Sequence, residues 1–236
     1  MTATMLQLYP ELTDVNGDAQ NALVLARRAQ WAGEDAEVRA LALGERPRAA
    51  PTVLVLGSSV DSALPRLRDA LAELREQLVE WLAAGIPLLA VGTGVELLGS
   101  EIRLEADRLD GVGLLPLTTE PLEVRVADDL VVDAPEGRLV GYENHSRGVR
   151  LHPGVEPLGV VVRGIADGRG VDGVRSGGVL GTRLHGPVLA KNPALADALL
   201  TRAFGRPIRP ESQAARAADA AAAAIRDRLL KSISAR

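Results

Sequence analysis

Short apolar runs alternate with stretches whose apolar residues recur every three or four positions through the first half of the chain. The runs Met5–Leu8, Val38–Leu43, Thr52–Leu56 and Pro87–Val91 have the length and β-rich composition of buried strands. Between the first two, Asp18–Ala32 places Ala22, Leu25, Ala26 and Ala29 at helical spacing, after the turn dipeptide Asn16-Gly17. Leu67–Ala84 repeats the pattern, with Leu71, Leu74, Leu78, Val79 and Leu82 on one face and charges on the other. Strand and helix in alternation predict βαβ units and a mostly parallel sheet with helices on both faces.

From about Gly111 the pattern changes to short strands separated by glycine-containing turns: Leu122–Val126, Leu130–Val132, Val140–Glu143, Leu158–Val162 and Val179–His185. An antiparallel extension fits this spacing better than further crossovers. Asn192-Pro193 predicts the start of a helix over Ala194–Phe204, with Asn192 as cap and Pro193 at the first helical position, ended by Gly205. Glu101–Asp110 and the Gly-, Asp- and Arg-rich Gly164–Gly178 read as mobile loops. The two prolines of Arg206–Pro210 predict an extended linker. The alanine-rich segment beyond it predicts a helix over Glu211–Ser234, with Ile225, Leu229 and Ile233 on one stripe. That helix packs on its own domain, frays in solvent, or docks on a partner. The expected organisation is therefore one domain over residues 1–205, a linker over 206–210 and a terminal helix over 211–236.

A chain of 236 residues can bury one sizeable core. The net charge of −4, with no long basic run, lacks the electrostatic footprint of a nucleic-acid binder. Apolar stretches such as Ile86–Val91 fall short of the roughly 20 residues needed to cross a bilayer, and no signal-peptide pattern opens the sequence. A cytoplasmic location is expected. No cysteine is present, so disulfides, thiolate metal sites and thiol nucleophiles are excluded together.

Four segments carry a family resemblance: Leu8-Tyr9-Pro10 with Asn16-Gly17-Asp18 and Asn21; the strand–turn–helix Leu88 to Gly99; Gly141-Tyr142-Glu143-Asn144-His145-Ser146; and Gly181 to Pro187 with Lys191-Asn192-Pro193. In order and spacing they resemble the glutamine amidotransferase subunit of bacterial lipid II isoglutaminyl synthase, a class I, CobB/CobQ-like amidotransferase. The related amidotransferase domain of cobyric acid synthesis is the nearest alternative. The resemblance implies a flavodoxin-like α/β fold, a role in peptidoglycan D-glutamate amidation, no cofactor, and a heterodimer with a Mur-ligase-like subunit that binds ATP and lipid II.

Glutamine amide hydrolysis of this type runs through a thioester and needs a thiolate, a histidine to move its proton and backbone donors for the oxyanion. The thiolate belongs at a tight strand-to-helix elbow. The residue matching that elbow is Gly92, which has no side chain. Thr93 stands beside it, but a β-branched residue is strained at a positive-φ elbow. Val95 and Glu96 replace an aromatic and a glutamine of the family, and Gly57-Ser58-Ser59-Val60-Asp61 replaces its glycine-rich oxyanion loop, so Ser58 and Thr93 mark the oxyanion positions. His185 matches the catalytic histidine, although a histidine at a strand end is also a common structural residue. Glu143 is a candidate to orient its imidazole, or else caps a turn or meets a partner.

Arg125 matches the arginine that holds the substrate carboxylate, a task suited to a bidentate guanidinium. It equally fits the solvent face of a strand. His145 and His152 lack the spacing of metal ligands. Three functional readings remain open: a pseudo-amidotransferase that supports its partner, a working glutaminase using Thr93 or a His185-activated water, and a glutamine-sensing module that has kept the pocket.

Overall fold

The computed structural model describes residues 2–105 and 107–234. The chain opens with strand β1 (Ala3–Leu8), the single turn α1 (Pro10–Thr13), a 3-10 turn over Asp18–Gln20 and helix α2 (Asn21–Trp31). Strands β2 (Ala36–Leu41) and β3 (Val53–Leu56) follow, then helices α3 (Leu64–Glu73) and α4 (Arg75–Ala83), strand β4 (Leu88–Val91) and helix α5 (Thr93–Leu98). Next come β5 (Glu101–Arg103), β6 (Arg108–Asp110) and the long strands β7 (Leu117–Ala134) and β8 (Gly137–Leu151). The last strands are β9 (Gly159–Arg163), β10 (Val171–Asp172), β11 (Val174–Ser176) and β12 (Val179–Thr182). Helices α6 (Val188–Lys191), α7 (Pro193–Phe204) and α8 (Gln213–Ser234) end the chain.

The central sheet runs β11-β12-β4-β3-β1-β2, parallel throughout except for β11. Its strands are buried on both faces, and their two-residue period feeds two cores. Val53, Val55, Leu89 and Val91 face the core beneath α2 and α7, with Leu25, Ala26, Leu195 and Leu199. Leu54, Leu56, Leu88 and Ala90 face the core beneath α3 and α4, with Leu67, Leu71, Leu78 and Trp81. The second sheet runs β10-β9-β7-β5-β6, with β8 paired to β7. Its pairs are antiparallel except β5 with β7.

Five local expectations are corrected. The helix expected over Leu67–Ala84 starts earlier and is interrupted at Leu74, whose ψ of −6° lies outside the regular helical range. The two short strands Leu122–Val126 and Leu130–Val132 are one strand, β7, with a register shift between Pro121 and Val126. Glu101–Asp110 is a hairpin of β5 and β6 rather than a loop, and Ala106 within it lies outside the described residues. Gly164–Gly178 contributes β10 and β11 and is tied down: Glu143 accepts hydrogen bonds from the amides of Ile165 (2.7 Å) and Ala166 (2.7 Å). The Asn192 side chain does not cap α7. It bridges to β8 instead, its Oδ1 accepting from Val140 N (2.9 Å) and its Nδ2 donating to Val140 O (2.8 Å).

Helix α8 returns to its own domain. Arg28 on α2 holds Asp197 of α7 with two hydrogen bonds (2.7 and 2.8 Å) and Asp219 of α8 with a third (2.6 Å). Ala215 and Ala222 are buried, and Ile208, in the segment leading to α8, is inserted into the core beneath α2.

Candidate active site

Four neighbouring strand ends, those of β12, β4, β3 and β1, deliver the site to the C-terminal edge of the central sheet, where open α/β sheets bind ligands. At the end of β4, Gly92 takes φ 57° and ψ −122°, a conformation essentially reserved for glycine. The chain turns there from strand directly into α5, so the elbow geometry persists without a side chain. A Cβ built on Gly92 would stand 2.5 Å from Ser58 Oγ, 2.9 Å from Ser58 Cβ and 2.7 Å from His185 Cε1. All three are closer than real Cβ contacts, so Ser58 and His185 now occupy the space a side chain at the elbow would need.

His185 follows β12 and is fully buried. Its backbone N–H donates to Tyr142 O (2.8 Å), and the Tyr142 ring lies tilted against the imidazole at 5.6 Å. Nδ1 meets Asp18 Oδ2 at 2.8 Å, and Nε2 has no hydrogen-bond partner. An ionised Asp18 can only accept, which places the proton on Nδ1 and the lone pair on Nε2. Burial pushes the Asp18 carboxyl above its ordinary range, and the hydrogen bond and charge of His185 pull it part of the way back. The partner of His185 is therefore Asp18, carried on the 3-10 turn after β1. In the sequence Asp18 reads as the start of a helix and as part of the Asn16-Gly17-Asp18 segment, and nothing local links it to a histidine 167 positions away.

Glu143 does not orient His185. Its Oε2 faces His145 Nε2 at 3.0 Å while the carboxylate caps the Ile165–Ala166 turn. His145 Nδ1 meets Arg147 O (2.9 Å), and burial pushes the His145 imidazole down while Glu143 opposes that shift. His152 stands apart, its backbone N–H on Pro116 O. Among the described residues, no group of three His, Cys, Asp or Glu is arranged to hold a metal ion.

The loop after β3 and the start of α5 are laced by hydroxyls. Thr93 N donates to Ser58 Oγ (3.3 Å), and Ser59 N donates to Thr93 Oγ1 (2.7 Å). Backbone amides at this elbow and in this loop are where an oxyanion would be received. Here both are satisfied by the chain's own side chains. Thr93 Oγ1 is engaged with Ser59 and makes no hydrogen bond to His185.

Behind the loop lies a charged network that links Glu96 and Asp61, both read from the sequence as departures from the family, to Arg147 and Arg183. Glu96 accepts from Arg183 Nη1 (2.6 Å) and Arg147 Nε (2.6 Å), and Arg147 also grips Asp61 with two bonds (2.8 and 2.7 Å). Arg183, Glu96 and Arg147 are all buried. The Arg147 hydrogen bond and charge hold the Asp61 carboxyl below its ordinary value. A cleft of about 290 Å³ opens above Gly92, Ser58 and Thr93, with Arg125 and Asn144 on its wall. Arg125 Nη2 donates to Asn144 Oδ1 (2.8 Å).

The family model of the CobB/CobQ-like glutamine amidotransferase domain matches residues 9–193. The subunit GatD of the glutamine-hydrolysing lipid II isoglutaminyl synthase of Staphylococcus aureus (strain N315) is 32% identical over 158 residues, 65% of this chain and 64% of that protein. The chain thus aligns with less than two thirds of that relative's length. The same-named subunit of Streptococcus pneumoniae (strain ATCC BAA-255 / R6) is 26% identical over 204 residues, 84% of this chain and 78% of that one. Among solved structures, a glutamine amidotransferase superposes with a TM-score of 0.56 at 18% identity, covering 84% of this chain and 98% of that chain. PurLQS from Thermotoga maritima reaches 0.57 at 16% identity, covering 87% and 97%. These structural likenesses establish the class I amidotransferase fold. With the family model covering most of its length, the chain belongs to the CobB/CobQ-like glutamine amidotransferase family.

Proposed function

We propose that this chain is the amidotransferase-type subunit of a lipid II isoglutaminyl synthase-like assembly, paired with a Mur-ligase-like subunit that binds ATP and lipid II, and that it does not hydrolyse glutamine by the thioester route. The observation that carries the second half is Gly92: the elbow survives, the nucleophile does not, and Ser58 fills the vacated space. The amides that would receive an oxyanion are engaged by Ser58 and Thr93. In this reading the partner uses free ammonia and the chain acts as its supporting subunit. The names of the two GatD relatives support the choice of assembly.

The test is glutamate release with the ligase subunit present. Wild type is expected to stay at buffer level, since what survives loss of a nucleophile is at most a residual contribution of positioning and oxyanion donors. Gly92→Cys alone is expected to recover little, because its Cβ collides with Ser58, and Gly92→Cys with Ser58→Gly is expected to exceed it by about 10-fold or more, given that a single oxyanion donor is worth roughly 10²–10³ in rate. Wild-type turnover lost in Thr93→Ala would install threonine as nucleophile; turnover lost only in His185→Ala would indicate an activated water. Co-purification of the two subunits at micromolar concentration tests the pairing, and its absence would refute it. Arg125 on the cleft wall favours a second reading, retained glutamine binding, which calorimetry with glutamine decides.

A further inference from the structure

We infer that Ser58, His185 and Asp18 form a serine-type acyl-transfer site, with Ser58 Oγ as nucleophile toward small activated acyl esters. The inference rests on the closed thioester route proposed above. Asp18 and His185 are both fully buried and joined at 2.8 Å, which directs the imidazole lone pair to Nε2. That nitrogen is buried and unpartnered, a state that a purely structural histidine avoids. Ser58 Oγ and His185 Cε1 flank the same point, 2.5 and 2.7 Å from where a Gly92 Cβ would stand, so a hydroxyl and a base share the space that glycine leaves open. Ser58 lies on the cleft wall, where a reactant can reach it. No hydrogen bond joins Oγ to Nε2 in this resting arrangement, and such bonds commonly tighten only around a bound reactant. The arrangement moves the nucleophile from the end of β4 to the loop after β3 while keeping an acid–base–hydroxyl relay. Ser58 Oγ attacks the acyl carbon as its proton passes to Nε2. The bond to the leaving alkoxide breaks and the imidazolium protonates that oxygen; water, deprotonated by His185, then attacks the Ser58 ester, the acyl–Oγ bond breaks, the imidazolium returns its proton to Ser58 Oγ and the acyl group leaves as the carboxylic acid. Because Ser59 N and Thr93 N are engaged internally, little oxyanion stabilisation is available, which confines reactivity to activated esters and excludes ordinary amides such as glutamine.

The test uses an alkyl fluorophosphonate on the full chain, with peptide mass mapping. Attack by Ser58 Oγ forms an O–P bond and expels fluoride, with the hydroxyl proton passing to His185. One adduct on Ser58 is expected, absent in Ser58→Ala and formed at least about 10-fold more slowly in His185→Gln, the low end of what general-base assistance contributes. Asp18 is a positioning residue, so Asp18→Asn is expected to move the pH profile of labelling to lower pH with Ser58 still the labelled position. The chain has no other cysteine, so Ser58→Cys gives a single thiol whose alkylation by iodoacetamide reports the same base. It is expected to react at least about 10-fold faster in the folded than in the urea-unfolded chain, through thiolate stabilisation by His185. Absence of the adduct, labelling retained in Ser58→Ala, or a folded thiol no faster than the unfolded one would each overturn the assignment. None of these outcomes bears on complex formation or glutamate release, so the two readings fail separately.

Discussion

A single buried carboxylate, Glu96, bridges two buried guanidiniums, those of Arg147 and Arg183, and Asp61 supplies the second negative charge through Arg147. In the sequence Glu96 reads only as a replacement for the family's glutamine, and nothing local links it to Arg147 or Arg183. Removing one partner from a buried ion network leaves the others uncompensated, so Glu96→Ala is expected to cost about 3–5 kcal/mol in urea unfolding. The same change should loosen Asp61, which is held through Arg147. A loss below about 1 kcal/mol would mean that water already shares these charges. Gly92 and His185 were legible from motif order. Asp18 was not, because a side-chain partnership across the sheet leaves no periodic trace.

Among the elements, central strands and their covering helices were legible because burial on both faces writes continuous apolar runs. The second sheet was read in fragments. Strand β7 exposes Glu123, Val124 and Arg125 where its register shifts, so its pattern breaks mid-strand. Three-residue strands such as β5 and β6 are too short to show a period at all. Asn192 illustrates a subtler miss: capping chemistry suggested a local role, but the amide serves as a clasp between α7 and β8. Asn192→Ala leaves Val140 N–H and C=O without that partner in a buried position, and a loss of about 1–3 kcal/mol per orphaned group is expected from thermal or urea denaturation. Arg28 plays the corresponding part for α8. Hydrogen exchange along Gln213–Ala222 should accelerate in Arg28→Ala while the amides of β3 and β4 keep their protection. Equal protection in both proteins would show that the buried alanines alone hold the helix.

For the whole molecule, Asp172 on β10 joins the two sheets by accepting from Thr182 Oγ1 at the end of β12 (2.6 Å) and from Arg183 N (3.0 Å). Complete burial pushes its carboxyl up to about 6 from an ordinary 3.8, against the pull of Thr182 and Arg183. The folded state therefore holds a proton where the unfolded state has released it. Its contribution to stability is fully present below about pH 4, falls as pH rises toward 6, and stays lost above that, by roughly 3 kcal/mol at 1.36 kcal/mol per unit. Stability measured against pH should lose this slope in Asp172→Asn, and carboxyl NMR titration should find Asp172 near 6; an ordinary value would remove the effect. The partnerships that define the site also set its timing during synthesis. Asp18 meets His185 across 167 residues, and Glu96 meets Arg183 across 87. Contacts of such separation form only after long loops have closed, which slows folding relative to local structure. A nascent chain that has not yet delivered β12 from the ribosome can pack β1, β3 and β4 yet holds Asp18 without His185 and Glu96 without Arg183, so the site exists only once the residues after β12 have emerged.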